Sequence, residues 1–266
     1  MTNSKGRTQW LVVSLVAVVV AGSLRAVNVS AAPDKEQEYF ELRLYRVKNE
    51  AKQKIVSSYL EKALVPALNR MGIDRVGVFT VQGGEDLSLF VLIAYPTFDA
   101  LGQMNTKLGA DSKYQEAAKE MFSQPYNDPA YTRIQSRLMK AFAGMPVIEM
   151  PEQTAAKKPR IFELRIYEAH NDERAAAKVE MFNSGEIQLM RDMKMAPVFF
   201  GKTLISDDVP NMAYMLSASD GAALQQHWDL FLKTPEWNRI KNLPKYKHTV
   251  SKITNFFLVP THYSQI

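Results

Sequence analysis

Two stretches of the chain carry one alternation, "FELRLY" from Phe40 and "FELRIY" from Phe162, 122 residues apart (162 − 40). Successive side chains of an extended strand point to opposite faces. Phe40, Leu42 and Leu44 therefore share one face and Glu41, Arg43 and Tyr45 the other, with Phe162, Leu164 and Ile166 set against Glu163, Arg165 and Tyr167 in the second stretch. The apolar triplets are expected to face helices, which puts each Glu-Arg-Tyr triplet on the opposite side of its sheet.

A helical period follows each strand. Ile55, Val56, Tyr59, Leu60, Ala63, Leu64, Ala67, Leu68 and Met71 form one apolar face, and Val179, Phe182, Ile187, Met190 and Met193 a less regular one. Two short strand-like runs come next in each copy, "VGVFTV" and "LFVLIAY", then "VFFGKT" and "MAYMLS", joined by "QGGEDLS" and "LISDDVPN". The Gly, Asp, Asn and Pro of those joints suit hairpin loops. Further helices are predicted around "DSKYQEA" and "KTPEWNRI", with Asp111 and Thr234 as N-caps and Pro235 in the first turn. In "NDPAYTRIQSRLMKAF", Asp128, Pro129, Ile134, Leu138, Met139 and Phe142 predict one more helix, and the proline-bounded "PVIEMP" and "ITNFFLVP" predict the last strand of each copy.

The order is βαββαβ, twice, which places the chain in the α+β class as two tandem ferredoxin-like units. The boundaries read as 38–151 for the first unit, 152–160 for a polar linker and 161–266 for the second. "YFELRLYRV", "IFELRIYEA" and the "DSKY", "DPAY" and "TPEW" segments resemble NIPSNAP-family proteins. That resemblance implies that the two units pair their sheets as an intramolecular dimeric α/β barrel, with the Glu-Arg-Tyr triplets lining a polar lumen. A further homodimer of the whole chain is left open.

Composition changes the picture mainly at the N-terminus. Of 266 residues, 46% are apolar and 23% charged, enough to bury one large core or two modest ones. Lys5 and Arg7 before an apolar run from Trp10 to Ala21, followed by Val29-Ser30-Ala31, predict a signal peptide over 1–31 and an exported, periplasmic or secreted product starting near Ala32. Arg25 interrupts the apolar run before the roughly 20 residues needed to cross a bilayer. The chain has no cysteine, which excludes disulfides and a lipid-anchored cysteine. Its formal charge of +5 includes Lys5, Arg7 and Arg25, so removal of 1–31 leaves 30 bases against 28 acids, a balance that does not call for nucleic acid.

Candidate chemistry is sparse. No G-x-S-x-G elbow follows residue 31, no glycine-rich phosphate loop is present, and the four histidines show no metal-binding spacing, so no metal and no cofactor are expected. His227, in "LQQHWDLFL", suits either a haem-ligand or general-base role or plain packing against Trp228. Glu41, Arg43, Tyr45, Glu163, Arg165 and Tyr167 suit either a structural Glu–Arg network that fixes the pairing of the two halves or, with His227, a ligand-binding set. The expected function is non-catalytic binding of a small acidic molecule or a protein partner, with a small-molecule enzyme, a cofactor-poor monooxygenase or isomerase, as the alternative.

Overall fold

Strand β1 (Tyr39–Arg46) opens the first copy where the alternation predicts it. The structure, a computed structural model, describes Met1, residues 36–156 and residues 158–266; apart from Met1, the expected signal peptide lies outside the described residues. Helix α1 (Glu50–Tyr59) begins at Asn49, whose side chain accepts the Lys52 backbone N–H and satisfies a donor that a helix start leaves free. A π-helical turn (Leu60–Leu64) carries it into α2 (Val65–Arg70). Strands β2 (Val76–Val81) and β3 (Leu89–Tyr95) precede α3 (Phe98–Ala110), α4 (Ser112–Ala117) and α5 (Lys119–Phe122). Asp111 caps α4 as expected. Strand β4 (Arg133–Ala141) completes the copy, and the short α6 (Glu152–Ala155) follows.

The second copy runs through β5 (Ile161–Glu168), α7 (Asp172–Met181), another π-helical turn (Phe182–Glu186) and α8 (Ile187–Asp192). It continues with β6 (Pro197–Ile205), β7 (Asn211–Ala218), α9 (Gly221–Lys233), α10 (Pro235–Lys241) and β8 (Lys252–Pro260). Thr234 caps α10 with Pro235 in its first turn, as the sequence predicts. The eight strands close into one barrel in the order β1-β3-β2-β8-β5-β7-β6-β4. Each copy contributes four antiparallel strands, and the copies join through β2 with β8 and β4 with β6. Among the described residues, closure leaves no edge of this barrel open for pairing with other chains.

Two expectations are corrected. The segment predicted as an extra helix is strand β4, and "PVIEMP" forms no strand. Ile134, Leu138, Met139 and Phe142 fit a helical period, but a short apolar run satisfies either period. Residues 133–141 offer proline-free backbone to ladders with β1 and β6, whereas Pro146 and Pro151 interrupt the donors of the later run.

The second correction reverses the faces. Phe40, Leu42, Phe162, Leu164 and Ile166 point into the barrel, where they pack with Phe79, Phe90, Met139, Phe199 and Met215. Phe40 meets Phe199 at 5.2 Å and Phe79 meets Phe162 at 4.9 Å, so aromatic pairs cross between the copies. An eight-stranded barrel is just wide enough for side chains to fill it, and each fully buried Phe contributes about 1.5–3 kcal/mol. The lumen core is therefore apolar, and the Glu-Arg-Tyr triplets lie on the outer face, under the helices. Alternation separates two faces without saying which one helices cover. The other outer-face residues, among them Val76, Val78, Val91, Ile93 and Tyr214, are themselves apolar or aromatic and pack on the helices.

Candidate functional site

Each copy buries its Glu-Arg pair between sheet and helices, but the two surroundings differ. In the first, Arg43 clasps Glu41 through Nε at 2.7 Å and Nη2 at 2.8 Å. Glu41 also accepts from Ser136 Oγ at 2.7 Å and Tyr95 Oη at 3.0 Å. Met104 Sδ lies 3.3 Å from Arg43 Nη2 and 2.9 Å from Tyr95 Oη, filling the space beside the guanidinium. Tyr59 and Tyr114 share a hydrogen bond of 2.9 Å in the same layer. Burial would raise the Glu41 carboxyl, but the bonds and charge of Arg43, with Ser136 and Tyr95, outweigh it and hold the carboxyl below its ordinary range. Burial pushes the Tyr45 phenol up, so it stays neutral.

The second copy keeps the pair and opens the space. Arg165 donates to Glu163 through Nη1 alone, at 2.7 Å, and its buried Nε has no hydrogen-bond partner among the described residues. Glu163 instead accepts from Trp228 Nε1 at 2.7 Å and from Asn255 Nδ2 at 3.3 Å. The guanidinium stacks 4.7 Å from the Trp228 ring and 5.6 Å from Tyr167. Tyr167 bonds Tyr214 at 3.0 Å. Glu163, Arg165, Tyr167, Trp228 and Asn255 line a cavity of about 590 Å³ that also meets Leu224, Phe231, Trp237 and Phe257. Burial opposes the Arg165 charge, but the surrounding Tyr214, Tyr167 and Glu163 more than offset it, so the cation persists.

A buried Lys178–Glu186 pair at 3.0 Å lines the same cavity. Lys178 lies 4.5 Å from the Phe182 ring and 5.7 Å from that of Trp237. Burial raises the Glu186 carboxyl above its ordinary range, against the opposing charges of Lys178 and Arg165. The π-helical turn that ends at Glu186 admits Gly185 at φ +149° and presents the carboxylate to the core layer.

The structure thus assembles Glu163, Arg165 and Tyr167 in one cavity and Glu41, Arg43 and Tyr45 in a separate packed cluster; they do not share a lumen. His227 lies outside the cavity. It is half-buried, its Nδ1 has no hydrogen-bond partner among the described residues, and burial, with Lys194 adding to it, lowers its pKa and favours the neutral ring. The residues the sequence reading missed are Lys178, Glu186 and Asn255. Their signal was the offset between copies: Lys178 and Glu186 stand where the first copy has buried Val56 and Leu64 (178 − 56 and 186 − 64). Among the described residues no cluster of three or more acidic or histidine side chains could hold a metal ion. No helix of the described residues is long and apolar enough to cross a membrane.

Similar folds recur among solved structures. A protein from Lactobacillus acidophilus, provisionally named a monooxygenase, superposes with a TM-score of 0.56 at 9% identity, covering 85% of this chain and 94% of its own. Another provisionally named monooxygenase, from Fusobacterium nucleatum, gives 0.53 at 8% identity over 85% and 93%. A NIPSNAP-like domain protein from Burkholderia xenovorans, uncharacterised, is 19% identical over 40% of this chain and 88% of its own, with a TM-score of 0.36. No curated protein sequence matches the chain. The NIPSNAP family model matches residues 40–143 and again 162–265, the two copies that close the barrel, and the chain belongs to the NIPSNAP family as a tandem pair.

Proposed function

We propose that the second copy's cavity binds a small planar acid, with the anionic group on Arg165 and the ring against the aromatic lining. One observation carries the reading: Arg165 lines the cavity and gives Glu163 a single bond through Nη1, with its Nε unbonded among the described residues, whereas Arg43 spends both Nε and Nη2 on its glutamate. A buried donor left unpaired costs about 1–3 kcal/mol, and a guanidinium offers a carboxylate two parallel bonds. The volume lies within the range of small-molecule sites, which combine apolar walls with a few polar anchors. Thermal denaturation of the full chain with a panel of benzoates and arylacetates is the test. A saturable rise in Tm that vanishes in Arg165→Met supports the reading; no response from any planar acid overturns it.

A catalytic reading rests on Glu186, whose raised carboxyl sits in the cavity with Arg165. Such a pair suits removal of a proton beside a carbonyl, the carboxylate taking the proton and Arg165 holding the developing oxyanion. Proton exchange at the α-carbon of bound arylacetones, followed by NMR in deuterated water, separates catalysis from binding alone: exchange lost in Glu186→Gln supports it. The solved neighbours support the fold only. Export is a separate proposal supported by Lys5, Arg7, the apolar run and Val29-Ser30-Ala31; N-terminal sequencing of protein from its source cells is expected to begin near Ala32, and retention of Met1 overturns it.

A further inference from the structure

The strands that leave one end of the barrel change character as they go. Lumen-facing side chains run from Leu42 and Leu44 to Arg46 on β1, from Ile166 to Glu168 on β5, and from Phe256 through Thr254 to Lys252 on β8. The result is a cavity of about 320 Å³ at the barrel mouth, with an apolar floor of Leu42, Leu44, Phe90, Ile166 and Phe256 and a charged rim. It lies on the opposite side of β5 and β8 from the Arg165 cavity, because Ile166 and Phe256 alternate with Arg165 and Phe257.

The rim charges sort themselves. Arg137 pairs with Asp208 at 2.8 Å, and Lys252 pairs with Glu168 at 2.8 Å. Two charges remain. Arg46 bonds only the Gln135 side-chain oxygen, at 3.1 Å, and has no carboxylate partner among the described residues. Asp207, on the loop between β6 and β7, has no ion-pair partner among the described residues. One free cation and one free anion thus border an apolar cup with room for a single large side chain.

We propose that the barrel mouth is a binding site for a free α-amino acid with a bulky apolar side chain. Its carboxylate meets Arg46, its ammonium meets Asp207, and its side chain enters the cup. A purely anionic ligand leaves Asp207 unmatched, and a purely cationic one leaves Arg46 unmatched, so the zwitterion is the form both rim charges select. Barrel mouths are a recurrent place for such sites.

The test is calorimetric titration of the full chain with L-phenylalanine, 3-phenylpropionate and phenethylamine. L-Phenylalanine is expected to bind about tenfold or more tightly than either truncated analogue at this site. Arg46→Gln is expected to erase its advantage over phenethylamine, and Asp207→Asn its advantage over 3-phenylpropionate. Both substitutions lie on the exposed rim and leave the core intact. Arg165→Met locates the ligand: it is expected to leave phenylalanine binding unchanged while removing any 3-phenylpropionate held in the second copy's cavity. Absence of saturable phenylalanine binding overturns the proposal. So does binding indifferent to both rim variants, or binding lost in Arg165→Met.

Discussion

The two copies build one layer of the molecule in two ways. Strands β1 and β5 carry the same Glu-Arg-Tyr triplet, and both following helices pass through a π-helical turn at the same point. Arg43 partners Val91 on β3, and Arg165 partners Tyr214 on β7 at the matching register. Around this shared frame the first copy places Val56, Leu64 and Met104 and closes, while the second places Lys178, Glu186 and Trp228 and stays open. A duplicated fold can thus keep one half closely packed and leave a cavity in the other. The Glu-Arg pair is the constant; its neighbours decide whether the arginine has bonds to spare.

The largest effect is expected from breaking the pair the first copy lacks. Lys178→Val leaves Glu186 buried and alone and is expected to cost about 3–5 kcal/mol in chemical denaturation. Adding Glu186→Leu, which restores the first copy's residue types, is expected to recover most of that loss or exceed it, since replacing a buried ion pair by apolar side chains is often neutral or stabilising. A double variant no more stable than the single one contradicts the equivalence drawn between Lys178–Glu186 and Val56–Leu64.

Next in size is the contrast between arginines. Arg43→Met removes both clasping bonds from Glu41 and is expected to cost about 3–5 kcal/mol. Arg165→Met removes one bond from Glu163, which keeps Trp228 and Asn255, and is expected to cost about 1–3 kcal/mol. Equal losses by urea denaturation would erase the distinction between a structural and an available arginine.

Acidity is expected to move the copies in opposite directions. The Glu41 carboxyl lies below its ordinary value of 4.5 in the fold, so its contribution is complete above that value and is lost as pH falls through the folded pKa. The Glu186 carboxyl lies above 4.5, so its proton favours the fold: that contribution is complete below 4.5 and is lost as pH rises through the folded pKa. Amide exchange is expected to show α7 and α8 gaining protection relative to α1 and α2 as pH falls from 7 toward 4.5. Glu186→Gln is expected to abolish that gain.

The smallest effect concerns the π-helical turns. Gly185 adopts φ +149°, and a Cβ there would lie 3.4 Å from Ile240 Cδ1, so Gly185→Ala is expected to cost about 1–2 kcal/mol. The matching residue of the first copy is Ala63, without a positive φ. Ala63→Gly is expected to cost only about 0.5–1 kcal/mol by thermal denaturation.

The repeat, the order of most elements and the caps at Asp111 and Thr234 were legible because each rests on local rules of period and hydrogen bonding. β4 was misread because Ile134, Leu138, Met139 and Phe142 satisfy a helical period while their ladder partners lie on β1 and β6, far along the chain. The faces were reversed for a related reason. Whether Phe40 or Tyr45 meets a helix depends on the lumen that Phe79, Phe162 and Phe199 fill jointly, and that is a property of the closed barrel. The triplet was legible as a pair of candidate sites, but its inequality was not: it turns on Trp228 Nε1 bonding Glu163 Oε2, where Arg43 Nη2 bonds Glu41 Oε2 in the first copy.

The proposed ligand site needs Arg165 to be open to a carboxylate while Arg43 is not. It is tested most directly by ligand-dependent Tm shifts of the wild type, Arg43→Met and Arg165→Met across one series of planar carboxylates. Arg43→Met is expected to lower the unliganded Tm but keep the ligand shift, and Arg165→Met to show a smaller drop with no ligand shift. A shift that survives in Arg165→Met, or disappears equally in both variants, would contradict it.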